Sequence, residues 1–183
     1  MNIIKTLREN NELANVLDNI CDIRILPELV SPSDAYGRLT FNIKGKVFAQ
    51  DASGGEYIIL DDGTIGFYGS EGENGRIADN FDDFFLLMVN CPFWRDYIYK
   101  SKKGLFKIAK HEENSTMEQE ETEVKLREEQ QTLAKGLNIP LYDDVSDILL
   151  KFYQCANREP RFISVFKEKD GSITYGTGSL FEL

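Results

Sequence analysis

The chain has one histidine, one tryptophan, five prolines and three cysteines among 183 residues. A single histidine leaves little room for histidine-based acid–base or nucleophilic chemistry, which needs a base beside an activated hydroxyl or thiol. His111 stands next to an acidic segment, outside any triad spacing, and reads as a surface residue. Cys21, Cys91 and Cys155 are odd in number and far apart. They form neither a C-x-x-C pair, nor a disulfide framework, nor a zinc pattern, and read as reduced, buried thiols. No long apolar run is present, so no transmembrane helix is expected. The opening MNIIKTLRENNELANVL lacks an apolar signal core and a small-residue cleavage site, so the expected location is the cytoplasm. Cations are the scarcer charge. Lys and Arg number 21 against 31 Asp and Glu, for a formal net charge of −10. Such a surface repels phosphate backbones, so no direct nucleic-acid contact is expected. It would attract a basic protein, or serve only solubility; net charge alone leaves both open.

What is present is an ordinary globular balance, 42% hydrophobic and 28% charged, in a length that suits one domain spanning 1–183. Leu13, Val16, Leu17 and Ile20 recur at helical spacing. Pro27 and Pro32 then read as chain breaks. Leu39, Phe41 and Ile43 alternate with polar residues as in a strand, and 46–50 can supply a second. Residues 57–60 and 64–68 flank Asp61-Asp62-Gly63, a hairpin signal, and 162–166 with 173–175 around Asp170-Gly171 give another. Phe81, Phe84, Phe85, Met88 and Val89 fall on one helix face, with Asp79 or Asn80 as cap. Val145, Ile148, Leu149, Phe152 and Tyr153 repeat the spacing, with Asp143 or Asp144 able to cap. Between them lies a charged helical excursion at about 111–136, nearly free of apolar residues before Val124, with Ser115-x-x-Glu118 as a capping-box pattern. It reads as a solvated helix or partly ordered excursion, or as an acidic partner-binding helix. Strands early, helices in the middle and strands again at the end argue for α+β: a mainly antiparallel sheet with helices packed on one face.

The glycine-rich loop Gly69-Ser-Glu-Gly72-Glu-Asn-Gly75 invites comparison with phosphate cradles. Its spacing is neither G-x-G-x-x-G nor a P-loop. Glu71, Glu73, Asp82 and Asp83 would repel phosphate from the helix start that the loop is expected to feed. Ser53 lies among glycines in Asp51-Ala52-Ser53-Gly54-Gly55 but has no histidine to activate it. The carboxylate pairs fit turns and caps, and the acids lack EF-hand spacing. No catalytic residue, metal site or cofactor is expected. Trp94, with Phe93, Tyr97 and Tyr99, reads either as core or as a protein-binding aromatic patch.

Taken in order, F-A-x-D-x-S-G-G-x-Y (48–57), I-G-F-Y (65–68), S-E-G-x-x-G-R-I-A (70–78), F-x-D-F-F (81–85) and C-P-x-W-x-D-Y (91–97) resemble the Smi1/Knr4 family of the SUKH superfamily. The resemblance covers about the middle quarter of the chain. It implies an α+β SUKH-like fold without shared catalytic residues. Bacterial members are predominantly immunity proteins that bind and neutralise the toxin domain of a polymorphic or contact-dependent toxin, often a nuclease; fungal members are regulatory interaction proteins. For this chain it implies that Asp51, Ser53, Gly54 and Gly55 shape the turn into the hairpin. It likewise implies that Gly69, Gly72 and Gly75 shape the next loop, that Arg76 pairs locally with Glu71, and that Trp94 closes the core. The expected reading is thus a cytoplasmic antitoxin, or else a regulatory adaptor without a toxin. Its partner is expected to be a basic protein domain, met by exposed acids, with Glu71, Glu73, Glu118, Glu120, Glu121 and Glu123 first.

Overall fold

A computed structural model describes residues 3–34, 37–95, 117–176, 178 and 180, with the backbone alone for 117–122. The readings placed on Tyr97, Tyr99, His111 and Ser115 lie outside these residues.

The architecture is α+β. Strand β1 (Arg24–Val30) is followed by β2 (Leu39–Phe41), β3 (Gly45–Gln50), β4 (Glu56–Leu60), β5 (Ile65–Tyr68) and β6 (Asn74–Ala78). Strands β3 to β6 run as an antiparallel meander, and β1 adds outside β3, giving the order β1-β3-β4-β5-β6. A second sheet of order β2-β7-β8 is built from β2, β7 (Ser164–Lys167) and β8 (Ile173–Tyr175). Five helices complete the described fold: α1 (Ile3–Glu9), α2 (Asn11–Cys21), α3 (Phe81–Asn90), α4 (Met117–Leu137) and α5 (Ser146–Ala156).

Strand alternation divides the large sheet into two apolar faces. Phe48, Tyr57, Ile65, Phe67 and Ile77 join the helices in the main core, so all five helices pack on one face. Val47, Ile58 and Leu60 point the other way, onto Phe162, Phe41 and Tyr68 at the small sheet. Phe41 stacks on Phe162 at 4.9 Å and meets Tyr68 edge-on at 5.2 Å. Asn42 joins the β2 end to the segment before β7: its amide donates to the Arg161 carbonyl and its Oδ1 accepts from the Ile163 N–H, both at 2.7 Å. The strand read at 39–43 therefore belongs to the small sheet.

Four corrections to the sequence reading have physical causes. Pro27 does not break the chain; it lies inside β1, an edge strand that needs ladder hydrogen bonds on one side only. The glycine loop does not feed α3 directly, because Asn74–Ala78 is a strand first. It is buried along its whole length, so it shows no apolar–polar alternation. Residues 111–136 are not solvated throughout: Gln130, Leu133 and Ala134 are buried in α4, and the Gln130 side chain donates to the Val89 carbonyl at 3.0 Å. Finally, α5 has no side-chain cap. Val145 occupies the cap position, and Asp144 accepts from the Ser146 N–H one step away. Asn80 does cap α3, accepting from the Asp83 N–H.

The three cysteines are buried and unpaired with one another. Burial pushes the Cys21 thiol far up and those of Cys91 and Cys155 up to about 12. None is a thiolate at neutral pH. Among the described residues, no helix is long and apolar enough to cross a membrane.

Candidate protein-binding surface

The glycine-rich block is made of one turn used repeatedly. In each of four hairpins the fourth turn residue is a glycine with φ near +90°: Gly54 (+92°), Gly63 (+85°), Gly72 (+91°) and Gly171 (+88°). The glycine N–H donates back to the first residue of the turn, and that residue's own N–H donates to the fifth. The pairs are Gly54→Asp51 and Asp51→Gly55, Gly63→Leu60 and Leu60→Thr64, Gly72→Gly69 and Gly69→Glu73, Gly171→Glu168 and Glu168→Ser172. This is the three-residue hairpin loop with a glycine bulge, whose left-handed residue costs a side chain dear and glycine little.

In a meander, alternate turns share an end of the sheet. Turns 51–55 and 69–73 are therefore neighbours, and 61–64 lies at the far end. The Ser70 hydroxyl donates to the Ser53 hydroxyl at 3.3 Å, joining the two turns. The Ala52 N–H donates to Asp22 Oδ1 at 2.9 Å, tying the first turn to the end of α2.

Beneath the surface sits a charged brace. The Asp51 side chain is 1% exposed. Its Oδ1 accepts from the Ser53 N–H (2.9 Å), the Ser53 hydroxyl (2.7 Å) and the Gly55 N–H (2.7 Å). Its Oδ2 pairs with Arg95, which also donates to the Tyr57 hydroxyl at 3.3 Å. The Arg95 guanidinium lies 4.7 Å from the Phe67 ring centroid and 5.4 Å from that of Trp94. Trp94 itself is 1% exposed and meets Phe67 and Phe152 edge-on. A Cβ on Gly55 would sit 2.4 Å from Asp51 Oδ2 and 3.0 Å from the Phe67 ring, so contact rather than backbone conformation calls for glycine there. Burial pushes the Asp51 carboxyl up, and the Ser53 and Gly55 hydrogen bonds with the Arg95 charge more than reverse this, leaving it below its usual value. A carboxylate so held is a poor general base at neutral pH, so its bond to the Ser53 hydroxyl positions the turn rather than activating a nucleophile.

Arg76 does not pair with Glu71. Strand alternation turns it toward the small sheet, where the buried guanidinium pairs with Asp62 at 2.7 Å, donates to the Thr64 hydroxyl, and donates to the Pro160 carbonyl at 3.1 Å. The Arg76 bond to Asp62, helped by the hydrogen bonds from Thr64, holds the Asp62 carboxyl far below the usual carboxylate range. Gly75, on the opposite side of β6, leaves room for Leu180: a Cβ would lie 2.9 Å from its Cγ.

What remains outward at this end is Ser53, Ser70, Glu71 and Glu73, all exposed. Glu73 packs its carboxylate over the backbone of Gly69, where a Cβ would come within 2.3 Å of Glu73 Cδ. The surface offers carboxylates and hydroxyls on a fixed backbone, suited to accepting hydrogen bonds and ion pairs from Lys or Arg. The other four expected acids lie elsewhere. Glu118, Glu120, Glu121 and Glu123 belong to the first half of α4, a helix that packs on α2 and α3, and the side chains of the first three are outside the described residues. Glu123 is exposed, beside an exposed Val124. Sequence reasoning missed Arg95 as the partner of Asp51; nothing in the local W-R-D pattern distinguishes it from a surface arginine. Among the described residues no three His, Cys, Asp or Glu side chains converge as a metal site. Comparison with protein-family models, characterised proteins and solved structures finds no match for the chain.

Proposed function

We propose that this protein is a non-catalytic immunity protein of the SUKH type, acting in the cytoplasm by binding a basic toxin domain and covering its working surface. The observation that carries the reading is the 69–73 turn. Two exposed glutamates stand on a backbone fixed by its own turn bonds, by the Ser70–Ser53 bond and by the contact of Glu73 with Gly69. A pre-formed acidic surface loses little conformational entropy when a basic partner docks. A net charge of −10 also speeds encounter with such a partner. The motif resemblance supports the same reading.

The test is co-expression with the toxin domain encoded beside this gene. Growth should be restored by the chain, and the two proteins should co-purify. The double variant E71K/E73K should weaken the complex by about tenfold or more, mainly through a slower on-rate that salt also slows. If no neighbouring frame encodes a toxic domain, or the chain protects against none, the immunity reading fails and a regulatory adaptor takes its place.

A further inference from the structure

The helical layer holds a second feature, unrelated to the sheet-end turns. An open cleft of about 360 Å³ lies between the start of α3 and the end of α4. Its apolar lining includes Leu86, Leu137 and Ile139, and Asp82 and Asp83 stand in its wall. The cleft is pre-formed. Asn90, in the last turn of α3, donates to the Pro140 carbonyl at 3.1 Å and accepts from the Tyr142 N–H at 2.9 Å, which pins the opposite wall to α3. That wall begins where α4 stops. Asn138 is left-handed (φ +55°), and the Ile139 N–H donates back to the Ala134 carbonyl at 2.8 Å, a Schellman ending.

The charges around the cleft have one dominant sign. Asp82 is exposed and has no ion-pair partner among the described residues. Asp83 shares its charge with Lys151 at 3.3 Å. The C-terminus of α4 adds the negative end of a 21-residue helix, set against the positive end of the shorter α3, whose first turn carries Asp82 and Asp83. Asp143 and Asp144 follow directly after Tyr142, and Asp143 already pairs with Arg127. The cations on the surrounding elements are Lys151; Lys5, which pairs with Glu9; Arg8, which donates to the Leu26 carbonyl at 2.8 Å; and, on α4, Lys125, Arg127 and, in its last turn, Lys135. Leucine-sized apolar walls with carboxylates at the rim suit an amphipathic segment: an apolar side chain on the floor, an ammonium or guanidinium at Asp82 and the helix end.

We infer that this cleft docks a basic amphipathic segment of a partner protein. The inference does not depend on the partner being a toxin. Its probe is a short amphipathic Leu/Lys peptide, with the Leu/Glu peptide of the same pattern as control, followed by amide NMR on the full chain. The Leu/Lys peptide should bind saturably and move the amides of Leu86, Ile139 and Tyr142, and the Leu/Glu peptide should not bind. D82K should weaken binding by about tenfold and D82N by less, as expected for a close charge pair, with the fluorescence of Trp94 showing both variants folded. E71K/E73K should leave peptide binding unchanged. Equal binding of the two peptides, or an unchanged affinity in D82K, would overturn the inference. So would shifts that map to the 69–73 turn instead, an outcome that leaves the proposed function standing.

Discussion

Replacing Asp51 by asparagine tests the brace under the sheet-end turns. The change keeps Oδ1, so the bonds from Ser53 and Gly55 survive with a neutral acceptor. It replaces Oδ2 by an NH₂ group that faces the Arg95 guanidinium, donor against donor. Breaking a fully buried ion pair from one side costs about 3–5 kcal/mol. Here the carboxylate is fully buried, but Arg95 is 34% exposed and keeps its places over Phe67 and Trp94. Water and the two rings, the latter contributing about 0.5–1 kcal/mol, soften the loss, so the expected cost is about 2 kcal/mol. Over a chain of this size that is a fall in Tm of about 4–8 °C.

The assay is urea unfolding followed by the fluorescence of Trp94, the one tryptophan in the chain. Arg95→Met supplies the second arm. It keeps an unbranched apolar stem against the rings but strands a buried carboxylate, and should also cost about 2 kcal/mol. The double variant should lose far less than the sum, with a coupling of about 2 kcal/mol. If the two losses add to within about 0.5 kcal/mol, or if D51N alone costs less than that, the pair is not what holds the turn and the reasoning is wrong.

Three further outcomes follow from the same geometry. Gly136→Ala gains about 1 kcal/mol of helix propensity, yet its Cβ would lie 2.5 Å and 2.6 Å from the two Leu13 methyls and 3.1 Å from Leu13 Cγ. Crowding a buried leucine costs about 1–3 kcal/mol, so thermal melts should show net destabilisation that reverses in a Leu13→Ala background; stabilisation in the native background would contradict the packing. At the 69–73 turn, Gly72→Ala should cost about 1 kcal/mol through its positive φ alone, since nothing lies within 4 Å of the added carbon; Glu71→Lys should stay within about 0.5 kcal/mol in the same urea titration, and the reverse ranking would refute the division of roles. Asp51 and Asp62 are both held below their ordinary values, so the stability they add is present above the unfolded value, about pH 4, and is lost as pH falls through the lower folded values. Urea midpoints should be level down to about that pH and then drop, less steeply in D51N/D62N than in the native chain; equal slopes would show that these two groups are not the acid-sensitive ones.

Legibility followed periodicity. The helix through Phe81, Phe84, Phe85 and Met88, the hairpins at Asp61-Asp62-Gly63 and Asp170-Gly171, and the antiparallel α+β plan were all readable, because amphipathic spacing and positive-φ glycines are local signals. Strand β6 was not readable. Asn74 and Gly75 are poor strand formers, Arg76 is a charge with no apolar signal, and all three are held there by distant groups: the Phe162 carbonyl for Asn74, Asp62 for Arg76, Leu180 against Gly75. The last turns of α4 were hidden for a related reason. Leu133, Ala134 and Leu137 end a long charged segment, and their burial comes from neighbours such as α2 that sequence spacing does not reveal. The brace at Asp51 required Arg95, 44 residues away.

The repeated hairpin turn also explains why acidity alone could not locate a surface. In each turn the glycine at the fourth place fixes the backbone, and the two residues before it are free of that duty. When the third residue is aspartate, its short side chain folds back onto the turn: Asp62 accepts from the Thr64 N–H and hydroxyl, and Asp170 from those of Ser172. Glutamate at the same place, Glu71, has one more methylene and makes no hydrogen bond among the described residues, so its charge is left to solvent. Asp51, at the first place of its turn, is taken inward altogether. Aspartates thus serve the fold at three of the four turns, while the charge available to a partner at the sheet end rests on glutamates. A net charge of −10 counts the two kinds alike; only the turn geometry separates them, drawing Asp51, Asp62 and Asp170 into the turns and leaving Glu71 to solvent.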